Sequence, residues 1–128
     1  MTEPRWLTSN EVKAAHDKQL VRFGGPPGMR DENALESALS RPVDRWRDED
    51  GDLASLGAAY AFGFARNHAF VDGDKRIAFV AVTTFLRLNG VAFRPGQAEA
   101  TAIIVALAAG EINESGLTRW IRDNWPKA

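Results

Sequence analysis

The chain has 128 residues, of which 45% are hydrophobic and 26% charged. That length fits one domain, expected over residues 1–128, and that composition is too apolar for intrinsic disorder. Lys and Arg total 16 against 17 Asp and Glu, so a net charge of −1 supplies no global field towards nucleic acid or an anionic membrane, and any anion site must be local.

The longest unbroken apolar run, Ala102 to Ala109, falls far short of the roughly 18 residues that suggest a membrane span. The opening Met-Thr-Glu-Pro lacks the pattern of a secretory signal, so the expected location is cytoplasmic. Cysteine is absent, which excludes disulfides, thiolate metal sites and a cysteine nucleophile. His16 and His68 are the only histidines; a zinc site is therefore disfavoured, while hard-cation chemistry stays open.

The first helix is expected to start after Thr8, where Thr8 and Glu11 have capping-box spacing and Leu7 and Val12 can form a hydrophobic staple, and to run to about Leu20. His16 fits a partly buried structural role on it. Gly24-Gly25-Pro26-Pro27-Gly28 then stops any regular element, because glycine frees the backbone and proline removes donors. Asp31 can cap a short second helix carrying Leu35, Ala38 and Leu39, which Pro42 is expected to end. Asp44 to Asp52 mixes both charge signs around Trp46 without an apolar period and reads as a solvated connection; an exposed Trp46 between Arg45 and Arg47 would mark a partner surface.

Asp52 is expected to cap a third helix through Leu53, Leu56, Tyr60 and Phe64 to Asn67, whose many alanines permit close packing. From Arg76 to Leu88 the apolar residues surround nearly the whole helical circumference, the pattern of a central helix enclosed by others. Gly90 suits a helix C-terminus, and Val91-Ala92-Phe93 reads as a brief extended piece. A fifth helix over Ala98 to Ala109 is ended by Gly110, and Ser115 can cap a sixth carrying Leu117, Trp120 and Ile121. No strand pairing is needed, and the expected class is all-α, a compact bundle of about six helices.

His68-Ala69-Phe70-Val71-Asp72-Gly73-Asp74-Lys75-Arg76, between the third and fourth helices, concentrates the reactive side chains. A helix N-terminus has unpaired N–H groups and a positive dipole end, so stability favours acids in its first turn, and Lys75 and Arg76 contradict that preference. An anion placed there would relieve the conflict. Gly73 allows close backbone approach to a phosphate, Lys75 supplies a point charge and Arg76 a planar fork. Asp72 is a hard oxygen ligand suited to Mg²⁺ beside phosphates. His68 belongs to the side-chain type whose ordinary pKa, near 6.5, suits general-base work at neutral pH. Phe70 and Val71 are expected to turn inward and pin the loop. The same residues also fit a plain capped turn, with Asp74 as N-cap of a helix beginning at Lys75, since spacing alone does not bring His68 to the helix end.

HAFVDGDKR resembles the signature of the Fic/Doc superfamily, HxFx(D/N)(G/A)NKR in its Doc (death-on-curing) branch and HPFxx(G)N(G)R in its Fic branch, and fits the Doc form better. Trp6-Leu7-Thr8, Phe23-Gly24-Gly25, Gly28-Met29-Arg30-Asp31, Leu35-Glu36-Ser37-Ala38-Leu39 and Tyr60-Ala61-Phe62-Gly63 also look like Doc-type positions. The resemblance implies a Fic fold that binds ATP with Mg²⁺ and modifies a protein hydroxyl. For the Doc branch it implies a toxin that transfers the γ-phosphate to a threonine of translation elongation factor Tu and is restrained in trans by an antitoxin. Lys75, where Fic adenylyltransferases usually carry glycine, favours phosphate over AMP transfer. Carried over by position, His68 is the base, Asp72 the Mg²⁺ ligand, Gly73, Asp74, Lys75 and Arg76 the nucleotide-binding residues, and Phe70 the anchor.

Position 74 departs from the pattern, being Asp where the family has Asn; an ionised carboxylate repels phosphate where an amide can donate to it. Three accounts are open: Asp74 joins Asp72 at a metal, Asp74 caps the helix and blocks the anion site, or the chain is an attenuated form that chiefly binds a partner. AMP transfer is the alternative chemistry. No Ser or Thr is followed four residues later by Glu, so the [S/T]xxxE inhibitory helix of some Fic proteins is missing.

Overall fold

A computed structural model describes residues 2–127 and contains six helices: α1 (Ser9–Phe23), α2 (Glu32–Glu49), α3 (Leu53–Asn67), α4 (Asp74–Leu88), α5 (Gln97–Ala108) and α6 (Glu114–Asp123). The fold is an all-α bundle, and among the described residues β pairing is limited to one isolated bridge between Met29 and Phe70. Val91 to Phe93, read as a brief extended piece, lies outside every helix, with Phe93 N–H on the Val91 carbonyl at 3.1 Å. None of the helices is long and apolar enough to cross a membrane.

The local signals act as expected at three helix starts. Thr8 and Glu11 form the reciprocal capping box of α1, with Glu11 N–H on Thr8 Oγ1 at 3.1 Å and Thr8 N–H on Glu11 Oε1 at 3.0 Å. Asp31 caps α2 by accepting from the N–H groups of Asn33 and Ala34, and Asp52 caps α3 by accepting from Ser55 N–H at 2.9 Å. The sixth helix starts one residue before Ser115, because Asn113 takes the capping role, accepting from Gly116 N–H at 2.7 Å.

Pro42 does not end α2, which continues to Glu49, so the segment read as a solvated connection is helix. Proline lacks the N–H that would bond to the Ala38 carbonyl, a cost of about 3 kcal/mol in an isolated helix. Tertiary contacts on both sides outweigh it. Pro42 itself is buried, and Trp46, one turn on, is partly buried rather than exposed, edge-on against Trp6 at 6.1 Å. Arg41 and Arg45 reach Glu114 at the start of α6, with Arg41 Nη2 on Oε1 at 2.6 Å and Arg45 Nη2 on Oε2 at 2.5 Å. The mixed charges of Asp44, Arg47 and Asp48 are the outer face of this helix.

The innermost helix is α3, packed against α2, α4, α5 and α6, whereas α4 leaves Phe79 and Val80 only partly covered. The small residues of α3 make this possible. A Cβ added at Gly63 would lie 3.0 Å from both Cα and Cβ of Ala38, so the crossing of α2 and α3 has no room for a larger residue. Tyr60 carries the polar link to the N-terminal segment: its buried hydroxyl accepts from Leu7 N–H at 3.0 Å, its ring lies 5.0 Å from Phe85, and burial pushes its pKa up to about 12.

Glu114 is nine-tenths buried between two arginines, so Glu114→Ala leaves Arg41 without its carboxylate and Arg45 with only the longer pairing to Glu49 at 3.7 Å. The expected destabilisation is about 2–4 kcal/mol by urea unfolding, below the 3–5 of a fully buried pair because both arginines keep some exposure. Partial burial pushes the Asp52 pKa up, but the Ser55 N–H and Arg122 outweigh it and hold it below the ordinary 3.8. Its contribution is therefore present above the unfolded value and lost as pH falls through the lower folded one. Asp52→Ala should cost about 1 kcal/mol at neutral pH, and the gap from wild type should close in strong acid.

Candidate active site

The motif loop is held from beneath by α1. His16, buried at 2% exposure, donates from Nε2 to the Asp72 carbonyl at 2.7 Å and stacks on Phe70 at 3.8 Å and 13°. Its role is structural, as its position in the first helix suggests, but the group it holds is the site itself; nothing in the spacing of the sequence pairs residue 16 with residue 72. The segment before α2 clamps the loop from the side. Arg30 and Asp31 donate their N–H groups to the Ala69 carbonyl at 2.8 and 3.1 Å, and Val71 N–H donates to the Gly28 carbonyl at 3.2 Å. Phe70 is buried as the anchor it was expected to be, whereas Val71 points outward, 41% exposed, because its backbone is paired to the glycine loop at the surface.

His68, Asp72, Gly73, Asp74, Lys75 and Arg76 all line one cleft of about 570 Å³, with Ala65, Val105, Ala108 and Ala109 of the α3 and α5 region as its apolar wall. His68 ends α3 in the left-handed conformation, φ 54° and ψ 50°. Glycine is the usual residue there, and a side chain in that state costs on the order of 1 kcal/mol, which places an exposed imidazole at the cleft at the expense of stability.

Gly73 is the N-cap of α4 at φ 87°, and no side chain caps the helix. Asp74 is therefore the first helical residue and not the N-cap, and the account in which it caps the helix to block an anion is overturned. Its Oδ1 accepts from Phe70 N–H at 3.1 Å, turning the carboxylate back across the loop. Burial raises the Asp74 pKa, opposed by the Phe70 N–H and by the charges of His68, His16 and Arg30. Glycine suits position 73 because of its φ, and a side chain there would also crowd Arg76 Nη2 at 3.3 Å and His16 Nε2 at 3.4 Å.

Arg76 lies between the aromatic and acidic sides of the site. Its Cζ is 5.4 Å from the Phe23 ring centre, and Nη2 is 3.8 Å from Asp72 Oδ2. Nε and Nη2 are buried without a hydrogen-bond partner. Lys75 is exposed at the same helix end. Two cations, uncapped N–H groups and orphaned guanidinium donors together have the chemistry to hold an anion with several oxygens. The Asp72 carboxylate, half exposed and paired among the described residues only with Arg76 at 3.8 Å, has the chemistry to take a hard cation beside such an anion.

A second cleft of about 310 Å³ shares Lys75 and Arg76 and runs between α1, α4 and α5, lined by Gln19, Phe23, Phe79, Val80, Ile104 and Val105. Phe23 and Val105 are each about half exposed.

Gly25 closes over Asp72. At φ 113° it already resists a side chain, and a Cβ there would run into Asp72 Oδ2, whereas one at Gly24 meets nothing within 4 Å. A carboxylate can swing aside, so Gly24→Ala and Gly25→Ala should each cost on the order of 1 kcal/mol in denaturant. Only Gly25→Ala should disturb the Asp72–Arg76 pairing, read as chemical-shift change at the Arg76 guanidinium. Equal changes in both variants would contradict this packing.

Residues 6–86 match the Fic/DOC family. The chain is 35% identical over 119 residues to the protein kinase doc of Escherichia phage P1, covering 92% of this chain and 94% of that one. It is 42% identical over 73 residues to the toxin Doc of Mycolicibacterium smegmatis, covering 56% of each. With these matches spanning the helices and loop that build the cleft, the chain belongs to the Fic/Doc family, in its Doc branch.

Proposed function

We propose that this chain is the toxin of a toxin–antitoxin pair and that it transfers the γ-phosphate of ATP, with Mg²⁺, to a hydroxyl of translation elongation factor Tu. The observation that carries the reading is Arg76: its buried, unbonded Nε and Nη2 lie at the uncapped start of α4, and it shares one cleft with Lys75 and His68. Buried guanidinium donors without partners cost stability, and a phosphate chain would satisfy them. The names of the two relatives, a kinase and a toxin, support the same reading.

Phosphoryl transfer asks mainly for positioning and charge neutralisation. His68 takes the proton of the target hydroxyl as its oxygen bonds to the γ-phosphorus. The bond from that phosphorus to its bridging oxygen breaks, and ADP leaves with the electron pair. Lys75, Arg76 and the free N–H groups of α4 hold the phosphate charge, and Gly73 keeps the backbone close. Asp72 is the residue that would hold Mg²⁺, an ion usually bound by one or two carboxylates together with substrate phosphates, where it adds further neutralisation. Restraint in trans would come from an antitoxin segment lying along the apolar cleft between α1, α4 and α5, where Phe23, Phe79, Val80 and Val105 offer uncovered surface beside the phosphate site.

The test incubates the chain with elongation factor Tu and either γ-labelled or α-labelled ATP. Label from the γ position alone is expected. Label from the α position would make the chain an adenylyltransferase, and neither label would leave a partner-binding module. His68→Ala should lower γ-transfer by about 10²–10⁴-fold, and undiminished transfer would remove His68 from its role.

A further inference from the structure

We propose that Asp74 is a positioning residue for His68: with Oδ1 fixed by the Phe70 N–H, its Oδ2, 4.0 Å from His68 Nδ1, holds the imidazole as the Nδ1–H tautomer and leaves Nε2 as the basic nitrogen. The inference rests on the general-base reading of His68 given above.

An acid in the first turn of a helix ordinarily serves the N–H groups of that turn. Asp74 does not, since α4 has no side-chain cap, and its carboxylate is folded back over the motif loop. There the side chain is only 13% exposed, while the His68 side chain it faces is 66% exposed. The carboxylate is thus the fixed partner and the imidazole the mobile one. His16 from α1 and Arg30 from the segment before α2 are the other groups whose charge acts on Asp74, alongside His68. His16 is already committed through Nε2 to the Asp72 carbonyl, so among these imidazoles it is His68 that remains to be oriented.

The 4.0 Å separation is longer than a hydrogen bond, and the exposed imidazole, not the enclosed carboxylate, is the side chain with room to turn across it. A histidine that accepts a proton at one nitrogen needs the other held by an acceptor, which selects the tautomer and stabilises the imidazolium that forms. Asp at position 74 supplies that acceptor with a full charge.

Asp74→Asn keeps an oxygen for the Phe70 N–H but removes the charge, whereas Asp74→Ala removes both. The first measurement is the His68 tautomer from ring ¹⁵N shifts of the full chain without nucleotide, at about pH 8, above the ordinary histidine range. The wild type should hold mainly Nδ1–H, and Asp74→Asn should move towards the Nε2–H form; a wild type with mainly Nε2–H overturns the proposal without need of any variant. The second is γ-phosphate transfer. Asp74→Asn should lower kcat roughly 10- to 100-fold, and Asp74→Ala should lose at least as much. A kcat for Asp74→Asn equal to or above wild type overturns the proposal. If the wild type transfers no phosphate, the kinase reading fails, and the tautomer measurement still decides whether Asp74 orients His68.

Discussion

The site depends on one constraint: the motif loop is tied down by elements other than the helix it introduces. His16 holds the Asp72 carbonyl and stacks on Phe70, and the N–H groups of Arg30 and Asp31 converge on the Ala69 carbonyl. With its backbone held from α1 and from the segment before α2, the loop need not satisfy itself by capping α4. The helix start stays open, and the positive dipole end with its unpaired N–H groups remains available to a ligand.

The stability cost of this arrangement is visible at several points in one small region. His68 occupies a left-handed position that glycine fills more easily, Lys75 and Arg76 oppose the dipole of α4, and two Arg76 nitrogens lack partners. Each feature opposes folding, and all of them face one cleft. Local conflict with the rules of stability is the mark of a functional site, provided the rest of the chain supports it. Here that support comes from α3, whose small residues let the neighbouring helices approach closely, and from the packing of Trp6 and Tyr60 on Phe85 of α4.

The same logic explains α2. A proline in mid-sequence and a run of mixed charge look like the end of a helix followed by a loop. The apolar spacing Leu35, Ala38, Pro42 and Trp46 in fact keeps one face of α2 directed at the core, and the Glu114 carboxylate ties Arg41 and Arg45 of that helix to the start of α6. The helix passes through proline because its neighbours bind both halves.

The sequence alone determined the helix starts at Thr8, Asp31 and Asp52, the glycine stops, the all-α class and the stretch holding His68, Asp72, Gly73, Lys75 and Arg76, because each follows from interactions among residues close in the chain. It also carried the family, since the motif is contiguous. Tertiary structure decided what depends on distant partners: the persistence of α2 beyond Pro42, the outward turn of Val71, the place of α3 at the centre and the task of His16. It decided Asp74 too. By spacing that residue is an ideal helix cap, but the Phe70 N–H, fixed by the clamped loop, draws its carboxylate away from the helix and towards His68.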